Sequence, residues 1–275
     1  MAEAPRRVKD VLLEHGLRAK KHFGQNFLAD AHLAAKLAEL CTTPAGGSVV
    51  EIGAGLGALT RPLLERAERV VAIERDRDLI PILRQELSSF EASGRLEILE
   101  ADAKTADFVA LLAPGPAPRV LAGNLPYQLT GPLLQRATAV ARHVDRAVFL
   151  VQLEVCDRVA AAAGSASYGA LSVFVQAQFE PSRAFVLRRG AFYPQPNVDS
   201  AVLVLTPRPT PVSEETDVFR MLVSRAFEQR RKMLKNAWSG VPGVERAAAR
   251  ASIDLTLRGE ALTVFDFAHM AQELS

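Results

Sequence analysis

The first two-thirds of the chain alternates short apolar runs with longer amphipathic segments. Five runs rich in Val, Ile and Leu have the length and composition of buried strands, at residues 48–52, 70–74, 96–99, 119–122 and 147–152. Apolar positions recur at helical spacing between them, at residues 60–69, 78–90 and 129–140. Because strands that alternate with helices form parallel sheets with right-handed crossovers, the pattern predicts an α/β fold with a mostly parallel sheet.

The pattern changes in the last third of the chain. Residues 199–205 are another apolar run, which we interpret as a late antiparallel strand of the same sheet. Pro207, Pro209 and Pro211 then mark a linker. Helical spacing follows at residues 217–239, 244–252 and 264–274, which predicts a small all-α domain. We therefore expect a larger domain at residues 1–207 and a small helical domain at residues 208–275.

Composition limits the class of protein only in part. A formal net charge of +2 over 275 residues excludes a simple polycation, yet basic residues cluster locally. One cluster can neutralise phosphates, although a solvated helix face is the more common explanation of such a cluster. It contains Arg230, Arg231, Lys232 and Lys235. The two cysteines have no pairing or metal-ligand spacing, and no run reaches transmembrane length. We expect a cytoplasmic protein without a bound metal.

A glycine-rich loop follows the first predicted strand and precedes a helix. Gly53, Gly55 and Gly57 let the backbone turn sharply and let a ligand approach closely. Glu74 ends the next strand, where it can accept hydrogen bonds from ribose hydroxyls, and Asp102 follows the third strand, where it can accept from an adenine amine. The loop predicts a cofactor that contains adenosine. A nicotinamide dinucleotide would fit the same glycine spacing, and a turn that only packs a helix on a strand would also explain it.

The segment after the fourth strand separates these alternatives. Asn124, Leu125, Pro126 and Tyr127 lie at the same edge of the predicted sheet as the glycine loop. The exocyclic N6 amine of adenine is a poor nucleophile, and two acceptors aimed at its hydrogens, the Asn124 side chain and the Leu125 carbonyl, would free its lone pair. Pro126 stiffens the turn, and Tyr127 offers a flat face for an extruded base. Hydride transfer needs none of this, so the segment favours methyl transfer from S-adenosylmethionine to adenine.

Together these motifs resemble the ribosomal RNA adenine N6,N6-dimethyltransferase family. The resemblance covers nearly the whole chain and rests on residues 20–28, the glycine loop, Asn124–Tyr127, residues 192–200 and residues 227–236. It implies a class I, Rossmann-like methyltransferase sheet and two methyl transfers to each of two adjacent adenosines near the 3′ end of 16S rRNA. The implied partner is 16S rRNA within precursors of the 30S ribosomal subunit. We expect the protein to act on it as a monomer, without a membrane.

The resemblance also implies roles for individual residues. Phe192 would oppose Tyr127 so that the flipped adenine lies between two rings. The cofactor contacts would be Gln25, Asn26, Leu28, Gly53, Gly55, Glu74, Asp102 and Asn124. The basic cluster would contact RNA phosphates from a helix of the C-terminal domain.

Two other functions stay open from the sequence. Enzymes that confer erythromycin resistance share much of this catalytic edge but methylate adenine in large-subunit rRNA. A non-catalytic RNA-binding assembly factor that keeps the methyltransferase fold is the second alternative. The retained Glu74, Asp102 and Asn124 argue against it, because a protein that only binds RNA needs none of the three.

Overall fold

The computed structural model describes residues 7–20, 23–229 and 231–274. The nine strands in these residues are Phe27–Leu28 (β1), Ser48–Ile52 (β2), Arg69–Glu74 (β3), Leu96–Glu100 (β4), Arg119–Asn124 (β5), Arg146–Gln152 (β6), Phe179–Leu187 (β7), Phe192–Tyr193 (β8) and Ser200–Pro207 (β9). Six of them follow the predicted apolar runs closely, whereas β1, β7 and β8 were not predicted.

Helices connect most of these strands and form the C-terminal part of the chain. They are Val8–Glu14 (α1), Ala31–Cys41 (α2), Thr60–Leu64 (α3), Ile80–Glu86 (α4), Ser88–Ala92 (α5), Phe108–Leu112 (α6), Thr130–Ala139 (α7), Leu153–Val159 (α8), Ala170–Gln178 (α9), Asp217–Glu228 (α10), Leu234–Ala237 (α11), Val244–Arg250 (α12) and Val264–Leu274 (α13).

Seven strands form one sheet in the order β4-β3-β2-β5-β6-β9-β7. The pairs from β4 to β6 are parallel, and β9 runs antiparallel to β6 with Ser200 opposite Gln152. The chain leaves β2 toward β3 and β4, then crosses to the other side of β2 to form β5. Ligands bind at such a reversal of strand order, beyond the carboxyl ends of the strands. The predicted fold, a mostly parallel sheet with a late antiparallel strand, is confirmed.

The sheet is held in place by apolar packing on its faces. All five residues of β2 are buried, as a parallel strand covered on both sides requires. Helices α2 and α3 contribute fully buried side chains to the apolar cluster that also contains a residue of β2. These side chains are Leu37, Ala38, Leu63 and Leu64. This core fixes the carboxyl ends of β2, β3 and β5, where the predicted functional residues lie.

The chain divides into two compact units. The first contains residues 1–153 and 183–206, and the second contains residues 154–182 and 207–275. Residues 154–182 thus belong with the C-terminal helices, whereas the expected boundary near residue 207 had left them in the larger domain. The second unit has its own apolar core, in which Phe219, Trp238 and Phe267 are fully buried.

The helix predicted over residues 217–239 was wrong in its length. It ends at Glu228, and a turn separates it from α11. Leu234 and Trp238 are fully buried, and the Trp238 indole donates a hydrogen bond to the Leu222 carbonyl of α10 at 2.9 Å. Because the Trp238 side chain bonds to α10, the chain has to bend between Glu228 and Leu234.

Strand β7 was missed by the sequence analysis. It lies at the edge of the sheet, and only its end residues, Phe179 and Leu187, are buried. An edge strand with so few buried positions has neither the continuous apolar run nor the strict alternation that sequence patterns detect. Across the described residues, no helix is both long enough and apolar enough to cross a membrane.

Candidate active site

A cavity opens at the carboxyl ends of β2, β3 and β5, where the strand order reverses. Most of the predicted catalytic and cofactor residues line it, namely Gln25, Asn26, Gly53, Gly55, Glu74, Asp102, Asn124, Leu125, Pro126 and Tyr127. Apolar side chains, among them Ile73, Leu79 and Leu133, complete the lining. The residues that the sequence placed on separate segments are therefore brought together in one site.

The side chain of Asn124 has a fixed orientation at the end of β5. Its Nδ2 donates a hydrogen bond of 2.8 Å to the backbone carbonyl of Asn26. Asn26 is held in turn, because its own Nδ2 donates to the Gly24 carbonyl at 3.2 Å. Since the amide nitrogen is used in this way, the Asn124 Oδ1 is the atom left to accept a hydrogen bond from a ligand.

The turn after Asn124 determines which backbone carbonyl can act beside it. The Pro126 carbonyl accepts from the Leu129 amide at 2.9 Å and from the Thr130 hydroxyl at 3.1 Å. The amide of Leu125 donates to the Leu150 carbonyl of β6 at 3.0 Å. These bonds hold the turn against the sheet. Because the Pro126 carbonyl already accepts two hydrogen bonds, the geometry favours the Leu125 carbonyl as the second acceptor for a ligand.

Tyr127 lies at the cavity with its hydroxyl anchored on the sheet. The hydroxyl is 2.9 Å from the Oγ of Ser200, the first residue of β9. Partial burial raises the pKa of the Tyr127 phenol, against a smaller opposing effect of that hydrogen bond. The phenol is therefore neutral near neutral pH, and the partly buried Tyr127 side chain is part of the cavity lining.

Glu74 has a structural task that the sequence did not predict. Its Oε2 accepts the Gly55 amide at 2.7 Å, and its Oε1 accepts the amides of Arg75 at 2.8 Å and Asp76 at 2.7 Å. Burial raises the pKa of this carboxyl, and the three amides oppose that shift. Because Oε1 already accepts two hydrogen bonds, Oε2 is the oxygen with capacity for a ribose hydroxyl, while the carboxylate also holds the glycine loop.

An ion pair ties the N-terminal motif to the end of β3. The ammonium group of Lys20 is 2.5 Å from Asp76 Oδ1 and 2.6 Å from Asp78 Oδ2. Gln25 donates to Asp76 Oδ2 at 2.7 Å and accepts the Lys20 amide at 2.7 Å. The two carboxylates raise the pKa of Lys20. Gln25 thus lines the cavity chiefly as a support for the backbone of the N-terminal motif.

Asp102 is partly engaged by cations that the sequence analysis overlooked. Its Oδ2 lies 3.4 Å from Arg75 and 3.8 Å from Lys104, and its Oδ1 accepts the Lys104 amide at 2.9 Å. The Arg75 guanidinium also lies 5.5 Å from the centre of the Phe23 ring, and Phe23 and Arg75 both line the cavity. Arg75 directly follows Glu74 in the sequence, which is the signal that could have marked it.

Two predicted residues lie apart from this cavity. Among the described residues, Leu28 and Phe192 do not contribute to its lining; they are 4% exposed and pair with each other across β1 and β8. Their side chains pack in the apolar core of the first unit. A cofactor contact by Leu28 and a stacking role for Phe192 therefore remain predictions.

The glycine loop can accept a close ligand. Gly53 and Gly55 have φ angles of +75° and +58°, in the left-handed region that favours glycine. At Gly55 a Cβ would come within 3.2 Å of the Phe27 ring. Backbone without side chains therefore faces a cavity that also presents carboxylates and apolar groups. This donor set fits a nucleoside with a charged amino-acid portion, as in S-adenosylmethionine.

The position before Asn124 tolerates no side chain. A Cβ at Gly123 would lie 2.4 Å from the Ile52 carbonyl oxygen of the neighbouring strand. We expect Gly123→Ala to destabilise the fold by roughly 1–3 kcal/mol and to displace Asn124, because two paired strands must separate. Gly131→Ala is the matched control, since a Cβ there meets nothing within 4 Å. That helical substitution should stabilise by about 0.5–1 kcal/mol. Denaturant unfolding of both variants measures the difference, and equal stabilities would contradict this account.

The predicted RNA-contacting cluster belongs to the second unit. Arg231, Lys232 and Lys235 are exposed, and Arg230 lies outside the described residues. The first two of the three lie in the turn between α10 and α11, and Lys235 lies in α11. The prediction of one continuous helix over these residues was therefore wrong, whereas the contact with phosphates stays a prediction.

The sheet order and the Asn-Leu-Pro-Tyr turn at the carboxyl end of β5 are those of a Rossmann-like methyltransferase that acts on amino groups. A family model described as ribosomal RNA adenine dimethylase matches residues 16–275. The chain belongs to this ribosomal RNA adenine dimethylase family. It is 42% identical to the ribosomal RNA small subunit methyltransferase A of Anaeromyxobacter sp. strain K, over 98% of each chain.

Solved structures share the fold. A dimethyladenosine transferase from Plasmodium falciparum is 22% identical, with a TM-score of 0.70 over 86% of this chain and 93% of that one. The 23S rRNA methyltransferase ErmE is 27% identical, with a TM-score of 0.63 over 90% of this chain and 99% of that one. Membership of the family confirms the predicted class of enzyme, an adenine dimethyltransferase of ribosomal RNA.

Proposed function

We propose that this chain transfers two methyl groups from S-adenosylmethionine to the N6 amine of each of two adjacent adenosines near the 3′ end of 16S rRNA. The observation that carries the proposal is the fixed Asn124 amide, whose Nδ2 is bound to Asn26 while its Oδ1 is left as an acceptor at the cavity. The 42% identity to a small subunit methyltransferase supports the choice of ribosomal subunit.

The proposed chemistry depends on orientation and dipoles. In the first transfer, the Asn124 Oδ1 and the Leu125 carbonyl accept hydrogen bonds from the two N–H groups of N6 and thereby hold its lone pair out of conjugation with the ring. The monomethylated amine keeps one N–H, which one of the two acceptors binds in the second transfer. S-adenosylmethionine supplies an electrophilic methyl group on a sulfonium. As the N–C bond forms, the S–C bond breaks, and the positively charged amine then loses one proton to water. Fixed dipoles that need no reorganisation stabilise the charge that develops on nitrogen.

The cofactor would be held by the ends of three strands. Gly53 and Gly55 allow backbone contact with its amino-acid portion, Glu74 accepts from a ribose hydroxyl through Oε2, and Asp102 accepts from the adenine amine. The ion pair between Asp102 and Arg75, at 3.4 Å, would loosen when adenine takes the carboxylate as its acceptor. The N-terminal side of the cavity would be supported by Gln25 and Asn26.

The RNA would be bound through phosphates by the second unit. Arg231, Lys232 and Lys235 are exposed in one short stretch of the chain, so each of these three side chains can contact a phosphate oxygen. Arg230 belongs to the same stretch of the sequence. We further propose that the enzyme acts as a monomer in the cytoplasm on 30S precursors, because this cluster offers little charge for selecting naked RNA. The first unit, residues 1–153 and 183–206, would carry catalysis, and the second unit would contact RNA.

Methyl transfer to purified ribosomal particles tests the function. With tritiated S-adenosylmethionine, the protein should label 30S particles that lack the modification, and nucleoside analysis should give N6,N6-dimethyladenosine. Fully modified 30S particles are the matched control and should take up no label. Label in neither kind of particle would overturn the proposed function.

The same experiment weighs the large-subunit alternative. ErmE, at 27% identity, is named as a 23S rRNA methyltransferase, so 50S particles and naked 23S rRNA should be included. Label only on the large-subunit RNA would contradict the choice of 16S rRNA and leave the adenine chemistry intact. Binding of 30S particles without any binding of S-adenosylmethionine would favour a non-catalytic assembly factor.

A further inference from the structure

We propose that Ser200 is a positioning residue, whose hydroxyl sets the angle at which the Tyr127 ring meets the extruded adenine. The proposal rests on the proposed function, because it concerns the same base-binding site. In the sequence, Ser200 is the last residue of the motif at residues 192–200, and the family resemblance implies no role for it. Its Oγ lies 2.9 Å from the Tyr127 hydroxyl, across 73 residues of sequence.

Ser200 is a rigid anchor. It is fully buried and begins β9, where it lies opposite Gln152 of the central strand β6. The preceding residue, Asp199, accepts the Arg189 amide at 2.9 Å, and the Asp199 carbonyl accepts the Leu153 amide at 3.0 Å. The backbone that carries Ser200 is therefore fixed on the sheet, and its hydroxyl offers the Tyr127 ring a stationary partner.

Tyr127, in contrast, needs an anchor. It begins a single 3₁₀ turn, residues Tyr127–Leu129, and its side chain is only partly buried. A tyrosine ring has two rotatable side-chain bonds, so the backbone of a short turn does not fix its plane. The hydroxyl is the far end of the ring, so a hydrogen bond there restrains rotation about the first of these bonds. Because hydrogen bonds of a phenol lie near the plane of its ring, the same bond also favours one setting of the second rotation. The ring face is then presented in advance to the base, which reduces the entropy lost on binding.

The chemistry of the pair suits a neutral hydrogen bond. Burial keeps the Tyr127 phenol in its protonated form, with its pKa raised above the usual value. Each hydroxyl can both donate and accept, so the bond can form in either direction. A ring that stacks on adenine needs no charge, and serine is a hydrogen-bond partner that leaves the phenol uncharged.

A double-mutant cycle on the full-length protein tests the inference. Single-turnover methylation of unmodified 30S particles is measured for wild type, Ser200→Ala, Tyr127→Phe and the double variant. Each single variant should be slower by roughly 10-fold, because each loses the same orienting bond while the ring is kept. The double variant should be no slower than either single variant. Multiplied losses would show that the two side chains act independently and would overturn the inference.

Two further measurements separate positioning from a general loss of structure. Affinity for S-adenosylmethionine, measured by calorimetry, should not change in either single variant. The matched control is Ser172→Ala, because Ser172 is also fully buried and hydrogen-bonded, through its Oγ to the Arg158 carbonyl, but belongs to the second unit. Its rate per folded molecule should equal that of wild type.

The outcomes distinguish this inference from the proposed function. If wild type transfers no methyl groups to 30S particles, the proposed function fails. If wild type is active and Tyr127→Phe has the same rate, only the role of Ser200 fails. Tyr127→Phe removes the same hydrogen bond by changing the residue that is only partly buried, so this variant is expected to fold. Its rate therefore tests the role of Ser200 even if Ser200→Ala does not fold.

Discussion

Replacing Asn124 by alanine is expected to lower the rate of methyl transfer to 30S particles by roughly 10²- to 10³-fold, the loss typical of one oriented polar group at a reacting centre. The substitution removes the Oδ1 that would accept an N6 hydrogen. It also removes the 2.8 Å hydrogen bond to the Asn26 carbonyl, which fixes the amide. The effect should fall on the chemical step, because the acceptor is most useful when charge develops on nitrogen.

Single-turnover rates at saturating cofactor and saturating 30S particles measure this loss. Saturation matters because the lost bond to Asn26 can also weaken cofactor binding, and that effect disappears when the site is full. Asn236→Ala is the control, since Asn236 is an exposed asparagine of α11 and should keep the wild-type rate. An Asn124→Ala enzyme that methylates as fast as wild type would show that the mechanism is wrong.

The parts of the site that could be predicted from sequence are those that end a strand. Glu74 and Asn124 are the last residues of β3 and β5, and the apolar runs that precede them identify the strands. Once the sheet is known to be parallel, its carboxyl edge follows, and residues from distant segments meet there. The apolar pattern of the strands, together with the rule that ligands bind at the carboxyl edge of a parallel sheet, is sufficient to predict the position of these two residues.

The contacts between side chains could not be predicted in the same way. Lys20 meets Asp76 across 56 residues, and Tyr127 meets Ser200 across 73. The partners in such pairs are not separated by any regular number of residues, because their contact depends on how the loops fold over the end of the sheet. Glu74 illustrates the limit, since its position was predicted while its hydrogen bond to the Gly55 amide was not.

Residues in irregular segments were harder still. The family motif around Phe192 predicted a stacking role, which stays a prediction, but it did not predict that the side chain packs in the apolar core where β8 pairs with β1. Arg231 follows a helical pattern in sequence, yet it lies in a turn, because burial of Trp238 against α10 outweighs local helix propensity. In both cases tertiary packing determines the conformation, and a local pattern contains no information about it.

Glu51 gives rise to the largest expected effect on stability. It lies in the middle of the buried strand β2, is 1% exposed, and its Oε2 has no hydrogen-bond partner among the described residues. Burial raises the pKa of this carboxyl from 4.5 to about 7, against a smaller opposing effect of Thr60. The folded protein therefore holds a proton that the unfolded chain releases between these two values.

The sign of the pH dependence follows from that difference. Below about pH 4.5 both states are protonated, and the group contributes no change with pH. As the pH rises to about 7, only the folded state keeps the proton, so stability falls progressively and then levels off. At about 1.4 kcal/mol for each pH unit, the loss is on the order of 3 kcal/mol.

Glu51→Gln should remove this loss, because glutamine is close in shape to the protonated acid and does not ionise. Near pH 8 the variant should be more stable than wild type by on the order of 3 kcal/mol, and the advantage should shrink toward about pH 5. Urea unfolding from about pH 5 to pH 8 measures it. Glu65→Gln, which changes an exposed carboxyl that follows α3, should keep the wild-type profile. A Glu51→Gln curve parallel to that of wild type would mean that Glu51 is ionised in the folded protein throughout, and that the buried strand accommodates its charge.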